Sequence, residues 1–248
     1  MAEKKTKIVL DADVINHFVR GGQLSLLPKI LPEFQFIVLD IETTNSIDDN
    51  LAYDIGFVVA DRRMNIYEEY SFTIYDIFAR EKELMQSAYY SEKIPMYQQA
   101  LKNNDTKMAQ LTTVRKILHK LCKEYGIKKI YAYNASFDYR GCNKTLRYIT
   151  KSKMRWFFPY GVEICCIWHM ACQTILNTSS YIKFAERNGL ISEKDNVLTS
   201  AESTYKFLTK DINFIEEHTG LEDVLIEVEI LKYCKRQHKP MRKKLFNE

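Results

Sequence analysis

Three short stretches of this 248-residue chain carry the residues best suited to chemistry. The first is Phe36-Ile37-Val38-Leu39-Asp40-Ile41-Glu42-Thr43-Thr44, an apolar run that leads into two carboxylates. Side chains at i and i+2 of a strand share a face, so Asp40 and Glu42 project together from the end of a strand buried on both sides. Neighbouring anions raise each other's pKa, and the pair is tolerable if it holds a hard cation. Mg²⁺ suits such a pair, because it takes a few carboxylate oxygens and completes its shell with water and substrate phosphate. Solvated, loop-facing carboxylates are the plain alternative. The second stretch is Asn134-Ala135-Ser136-Phe137-Asp138, and the third runs from His218 through Gly220 to Asp223. Histidine titrates near neutrality and can take a proton from water.

These positions call for particular elements. Asp54–Ala60 reads as a second strand, 61–65 as a polar turn and Ile66–Thr73 as a third strand, so the Asp40 strand opens an antiparallel meander. Residues 76–110 read as helices and loops broken at Pro95. Leu111, Val114, Ile117, Leu118, Leu121, Cys122 and Tyr125 fall at helical spacing, with Gly126 at the stop and His119 on the polar face. Lys129–Tyr133 forms a strand that delivers Asp138 to the start of a helix, where free N–H groups and the helix dipole stabilise negative charge.

On that helix Arg140, Lys144, Arg147 and Lys151 stack along one face. From Tyr139 to Val162 there are six basic residues and no acidic one, interleaved with Tyr148, Trp156, Phe157, Phe158 and Tyr160. Phosphates bind such charge and unpaired bases stack on such rings, although a solvated helix leading into core aromatics has the same composition. Residues 163–176 read as an apolar helix. Cys165, His169 and Cys172 share a face there but lack the fourth ligand that a structural zinc site needs. Thr199-Ser200-Ala201-Glu202 is a capping-box pattern opening a helix through Leu208. The last helix follows Asp223 with Val224, Leu225, Val228 and Leu231 as its buried stripe, and a basic tail from Lys235 onward is expected to fray.

Apolar residues make up 46% of the chain and charged residues 27%, the balance of a globular protein rather than a disordered one. The net charge of +4 is too small to identify a nucleic-acid partner by itself. No apolar run approaches a membrane span, and no signal peptide is legible at the start. Six scattered cysteines without a leader read as reduced thiols in the cytoplasm.

Ile8-Val9-Leu10-Asp11, followed by Asp13, echoes the stretch ending at Asp40. A helical pattern from Asn16 to Ile30 follows, interrupted by Gly21-Gly22 and ended by Pro28 and Pro32. This piece resembles the opening strand and helix of a PIN-domain nuclease, which implies an endonuclease using Asp11 and Asp13. The plainer expectation for residues 1–35 is an added N-terminal βα extension, with the main domain at 36–234 and a basic tail at 235–248.

Taken together and in order, Asp40-x-Glu42, Asn134-x-x-Phe137-Asp138 and His218-x4-Asp223 resemble the three motifs of the DEDD exonucleases in their histidine-bearing branch. That resemblance spans residues 36–234. It implies an α/β fold of ribonuclease H-like type, a mixed sheet flanked by helices. It also implies two Mg²⁺ or Mn²⁺ ions held by Asp40, Glu42, Asp138 and Asp223, with His218 as general base. Thr43 and Thr44 would hold the terminal nucleotide and Phe137 would pack beneath the site. The expected activity is metal-dependent 3′-to-5′ removal of nucleotides from single-stranded DNA or RNA, alone or with a polymerase or replication complex. Arg140, Lys144, Arg147 and Lys151, with Asn134, complete the expected substrate contacts. A catalytically silent nucleic-acid-binding module is the remaining reading, and all five expected active-site residues argue against it. Asn45 stands where the family often has Gly, and Asn also tolerates positive φ. The long span between Asp138 and Asp223 implies an insertion within 155–210.

Overall fold

The apolar run ahead of Asp40 becomes the centre of a mixed six-stranded sheet. The structure is a computed structural model, and it describes residues 34–44, 50–86, 88, 90–216 and 218–246. Residues 1–33, with Asp11 and Asp13, lie outside the described residues, as does Asn45. Strands β1 (Phe34–Thr43), β2 (Ala52–Asp61) and β3 (Ile66–Ile74) form the expected antiparallel meander. Short helices α1 (Tyr75–Phe78) and α2 (Lys82–Gln86) follow, then a 3₁₀ turn at Ser91–Lys93 and α3 (Ile94–Asn103). Pro95 sits in the first turn of α3, where its missing N–H would have no intrahelical partner anyway.

Strand β4 (Lys107–Ala109) adds to β3 in parallel, and α4 (Leu111–Glu124) ends before Gly126 with its φ of 63°. Strand β5 (Lys129–Ala132) lies parallel to β1 and feeds α5 (Ala135–Thr150). Strand β6 (Glu163–Cys166) runs parallel to β5, and α6 (Ile167–Ala171) continues through a π turn to Leu176. Helices α7 (Ser179–Arg187), α8 (Ala201–Thr209) and α9 (Gly220–Arg236) complete the described chain, and the sheet order is β4-β3-β2-β1-β5-β6.

The sheet divides the core by strand parity. Ile37, Leu39 and Ile41 point to the side covered by α4 and α5, while Phe36 and Val38 point to the side covered by α6 to α9. Asp40 and Glu42 continue the second face, toward α9.

Four expectations are corrected. Residues 163–166 are an edge strand rather than the first turn of a helix, because four apolar residues carry no period to tell the two apart. The cap of α8 is Ser200, whose hydroxyl accepts the Ser203 N–H at 3.1 Å, while Glu202 pairs with Lys206. Leu225 is exposed, and Ile226 and Ile230 are buried instead, because α9 packs on β1 and β2 and also against α6 and α8. The basic tail, expected to fray, pairs with β6 at Lys243 and Leu245. Cys166 donates its N–H to Lys243 O at 2.7 Å and Leu245 donates to Ile164 O at 2.9 Å, covering the outer edge of β6. Among the described residues no helix is long and apolar enough to cross a membrane, and all six cysteines are free thiols.

Candidate active site

Four carboxylates from three elements meet at the C-terminal end of β1. Asp40 is partly exposed, whereas Glu42, Asp138 and Asp223 are 9%, 2% and 5% exposed. Ligating atoms of Glu42, His218 and Asp223 all lie within 4.8 Å of one another. Although Asp40 keeps some exposure, desolvation of its carboxylate inside the cluster, and then the charges of Asp138, Glu227, Asp223 and Glu42, raise its pKa well above the usual carboxylate range. Burial and then the charge of Asp223 do the same to Glu42. Burial pushes Asp138 up to about 8, and burial followed by the charge of Glu216 brings Asp223 to about 8. Oδ1 of Asp223 is buried without a hydrogen-bond partner, and the backbone N–H groups of Asp138 and Ile41 lower the Asp138 pKa by less than burial raises it. Unpaired buried anions are costly, and the arrangement is complementary to cations with hard oxygen preference.

Asp223 is brought to the cluster by a close backbone approach. Gly56 lies on β2 opposite Asp40, and a Cβ on Gly56 would come 2.1 Å from the carbonyl carbon of Gly220. The reciprocal Cβ on Gly220 would lie 2.5 Å from Gly56 N and 3.2 Å from Asp40 O. Only two glycines let the first residue of α9 rest directly on the sheet. Asp54, opposite Glu42 in register, locks the contact: its Oδ2 accepts the Gly220 N–H and the Tyr97 hydroxyl, both at 2.9 Å. Burial raises the Asp54 pKa to about 6 against the pull of those two donors.

His218 stands at the rim. Its Nδ1 is 4.0 Å from Asp223 Oδ2 and 3.7 Å from Glu216 Oε2. The ring stacks on Tyr90 at 4.8 Å between centroids and 21° between planes, and Lys93 Nζ lies 4.9 Å from the Tyr90 centroid. Burial and the Lys93 charge lower the His218 pKa, so the neutral, proton-accepting form prevails at pH 7. His218 itself adopts a positive φ of 53°, and Gly220 is used for the approach to Gly56.

The expected substrate contacts separate into groups. Arg140, Lys144 and Arg147 line one hollow of about 500 Å³ with Tyr139, Asn143 and Trp156. The Arg147 guanidinium lies 4.3 Å over the Trp156 ring. Lys151 ends α5 with φ of 52°, sits 4.3 Å over Tyr148 and does not line that hollow. Asn134 is exposed with φ of 56° and lines a different hollow with Tyr133, Trp168 and Ser200. Phe137 is half-buried against the core. Thr44 is fully buried, its Oγ1 accepting the Leu51 N–H at 3.3 Å, while Thr43 is buried nearby. Thr44 also donates its backbone N–H to Leu51 O at 3.0 Å, so it pairs twice with Leu51. Among the described residues, groups able to share a metal ion form at Glu42, His218 and Asp223 and at Glu202, Glu216 and His218, but not at Cys165, His169 and Cys172.

Asp54, Tyr90, Lys93 and Glu227 also belong to this region and are not legible in the sequence as site residues. Glu227 has one readable signal, its place one helical turn after Asp223.

Among solved structures, a full-length 3′-exonuclease superposes with a TM-score of 0.51 at 11% identity, covering 86% of this chain and 88% of that one. Exonuclease X in complex with 5′-overhanging duplex DNA gives 0.43 at 15% identity, over 82% of this chain and 92% of that one. Exonuclease I of E. coli, zinc-bound and in complex with single-stranded DNA, gives 0.48 at 15% identity over 82% of this chain, which spans 40% of that longer one. No protein-family model matches the sequence, and no curated protein does. The fold class is α/β and ribonuclease H-like, a mixed six-stranded sheet flanked by helices, as in the 3′-exonuclease it superposes on.

Proposed function

We propose that this chain is a divalent-metal-dependent nuclease that removes nucleotides from the 3′ ends of single-stranded DNA or RNA by phosphodiester hydrolysis. The observation that carries the reading is the convergence of Asp40, Glu42, Asp138 and Asp223, crowded enough to raise all four pKa values, with Oδ1 of Asp223 buried and unpartnered. That donor set fits Mg²⁺ or Mn²⁺, and these four carboxylates would hold two ions. When bound, such ions activate water and stabilise both the attacking and the leaving oxygen. The 3′-to-5′ polarity is the part of this reading that rests on the resemblance of the three motifs, with the 3′-exonuclease neighbour in support.

The remaining chemistry is assigned to this chain's own side chains. Neutral His218, at the rim beside Asp223, accepts the proton of the attacking water. Arg140, Lys144 and Arg147 hold backbone phosphates, and Tyr139 and Trp156 in the same hollow offer faces for unpaired bases. Thr43, Thr44, Asn134 and Phe137 are assigned around the terminal nucleotide. The catalytic domain begins with β1 at Phe34 and includes the tail segment that pairs with β6.

A time course on 5′-labelled DNA and RNA oligomers, with Mg²⁺ and with chelator, tests the reading. A ladder descending one nucleotide at a time, present only with the cation, is expected. Discrete internal cuts would transfer the activity to an endonuclease mechanism.

A further inference from the structure

Glu227 is a fifth carboxylate in the acid cluster and belongs to none of the three motifs. It follows Asp223 by one turn of α9 and shares its face. The side chain is 2% exposed. Its Oε1 accepts the backbone N–H of Tyr133 at 3.0 Å, just beyond the end of β5, and its Oε2 is buried with no hydrogen-bond partner. Asp138 and Asp223 are the first two charges that act on it, and Asp40 feels Glu227 ahead of both Asp223 and Glu42.

Holding the Tyr133 N–H takes one carbonyl-like oxygen, which glutamine supplies without a charge. The second oxygen and the negative charge are left unexplained by the fold, at a position where a lone buried anion is destabilising. Both make sense if the cluster is completed by cations. Four carboxylates neutralise two divalent ions, and a fifth behind them leaves the loaded site anionic, which deepens the well for the ions.

We propose that Glu227 is a positioning residue for the cations of this site: it stands behind the direct ligands Asp40 and Asp138, and its charge raises the site's affinity for divalent metal. This rests on the metal-dependent reading above. Partners behind the direct ligands commonly tune metal affinity by about 10–100-fold.

The test reads metal binding without turnover. Mn²⁺ is titrated into the full chain by calorimetry, for wild type, Glu227→Gln, Glu227→Met and Asp138→Ala, and thermal melting is recorded in chelator. Glu227→Gln keeps an oxygen for Tyr133 and should melt at or above wild type in chelator, since it removes a carboxyl that must be either buried charged among like charges or protonated on folding. Its Mn²⁺ affinity should fall by about 10-fold or more. Glu227→Met removes the charge by a second route, and either folded variant decides the matter. Wild-type affinity in a folded Glu227 variant overturns the proposal, as does failure of both variants to fold, which would assign Glu227 to the scaffold. If wild type binds no Mn²⁺ that Asp138→Ala abolishes, the metal-dependent reading fails with it; if that binding exists and Glu227→Gln leaves it unchanged, only the role of Glu227 falls.

Discussion

Asp54 Oδ2 accepts the backbone N–H of Gly220 at 2.9 Å, a bond between residues 166 apart in the chain. It pins the first turn of α9 to the middle of the sheet, opposite the strand that carries Asp40 and Glu42. The position of Asp223 therefore depends on two glycines and an aspartate outside the four-carboxylate set.

Gly56→Ala should displace α9. Its Cβ would meet backbone atoms of Gly220 and Leu221 at 2.1–2.3 Å, and backbone cannot swing aside as a long side chain does. Overpacking of this kind costs about 1–3 kcal/mol or more. Asp54→Ala, which strands a buried N–H and a hydroxyl, should cost about 1–3 kcal/mol. Both should lower the melting temperature and the turnover together, which denaturation curves and initial rates on one preparation will show.

Metal-free stability should fall as pH rises from about 4 to about 8. Asp138 and Asp223 have folded pKa values near 8, and Asp40, Glu42 and Glu227 are also raised. Over that window the folded state binds more protons than the unfolded one, so unfolding free energy declines with pH. The stabilisation is fully present below the unfolded carboxylate values, near 4, and is lost as pH passes through the folded ones. Melting in chelator from pH 5 to 8.5 measures this, and saturating Mg²⁺ should flatten or reverse the slope. A metal-free melting temperature that climbs across the window contradicts the electrostatics described here.

Much of this region is legible in the residues. The i, i+2 spacing of Asp40 and Glu42 on a buried strand, the strand-to-helix step at Asp138 and the helical period of α4 all rest on local rules, and local rules read well from sequence. Asp54 shows the limit. It reads as the polar start of a strand, and its partners Tyr97 and Gly220 become neighbours only when the sheet and two helices close. Glu227 reads as a polar position on an amphipathic helix with one wet face, whereas the sheet, α6 and α8 bury most of the girth of α9. Strand β4 hides within a helical region of the sequence because three residues at an edge carry no period.

Neutralising the hollow on α5 should weaken oligonucleotide binding more than neutralising the end of the helix. Arg140, Lys144 and Arg147 share that hollow, and Lys151 lies beyond it over Tyr148. For the triple Arg140→Gln, Lys144→Gln, Arg147→Gln variant, the slope of log affinity against log salt should shrink by about 0.7 for each phosphate that is no longer neutralised. Lys151→Gln alone should leave the slope near wild type. Equal slopes for the triple variant and wild type would make the face merely solvated.

His218→Ala should keep metal and oligonucleotide binding and lose about 10²–10⁴-fold in turnover. Because burial and Lys93 lower the His218 pKa, its neutral form persists to lower pH, and the acidic limb of the wild-type rate profile should lie below the ordinary histidine value of 6.5. The variant should lose that limb. Replacement of His119, whose Nε2 is tied to Phe157 O at 2.7 Å, should have a much smaller effect on rate.

The most direct measurement is single-turnover hydrolysis of a 5′-labelled oligomer by wild type, Asp40→Ala and Asp138→Ala at saturating Mg²⁺, with binding and melting recorded on the same samples. Both variants should remain folded, melt at or above wild type in chelator and still bind the oligomer, yet show no Mg²⁺-dependent shortening. Hydrolysis at the wild-type rate by folded Asp138→Ala would contradict the assignment of the chemistry to this acid cluster.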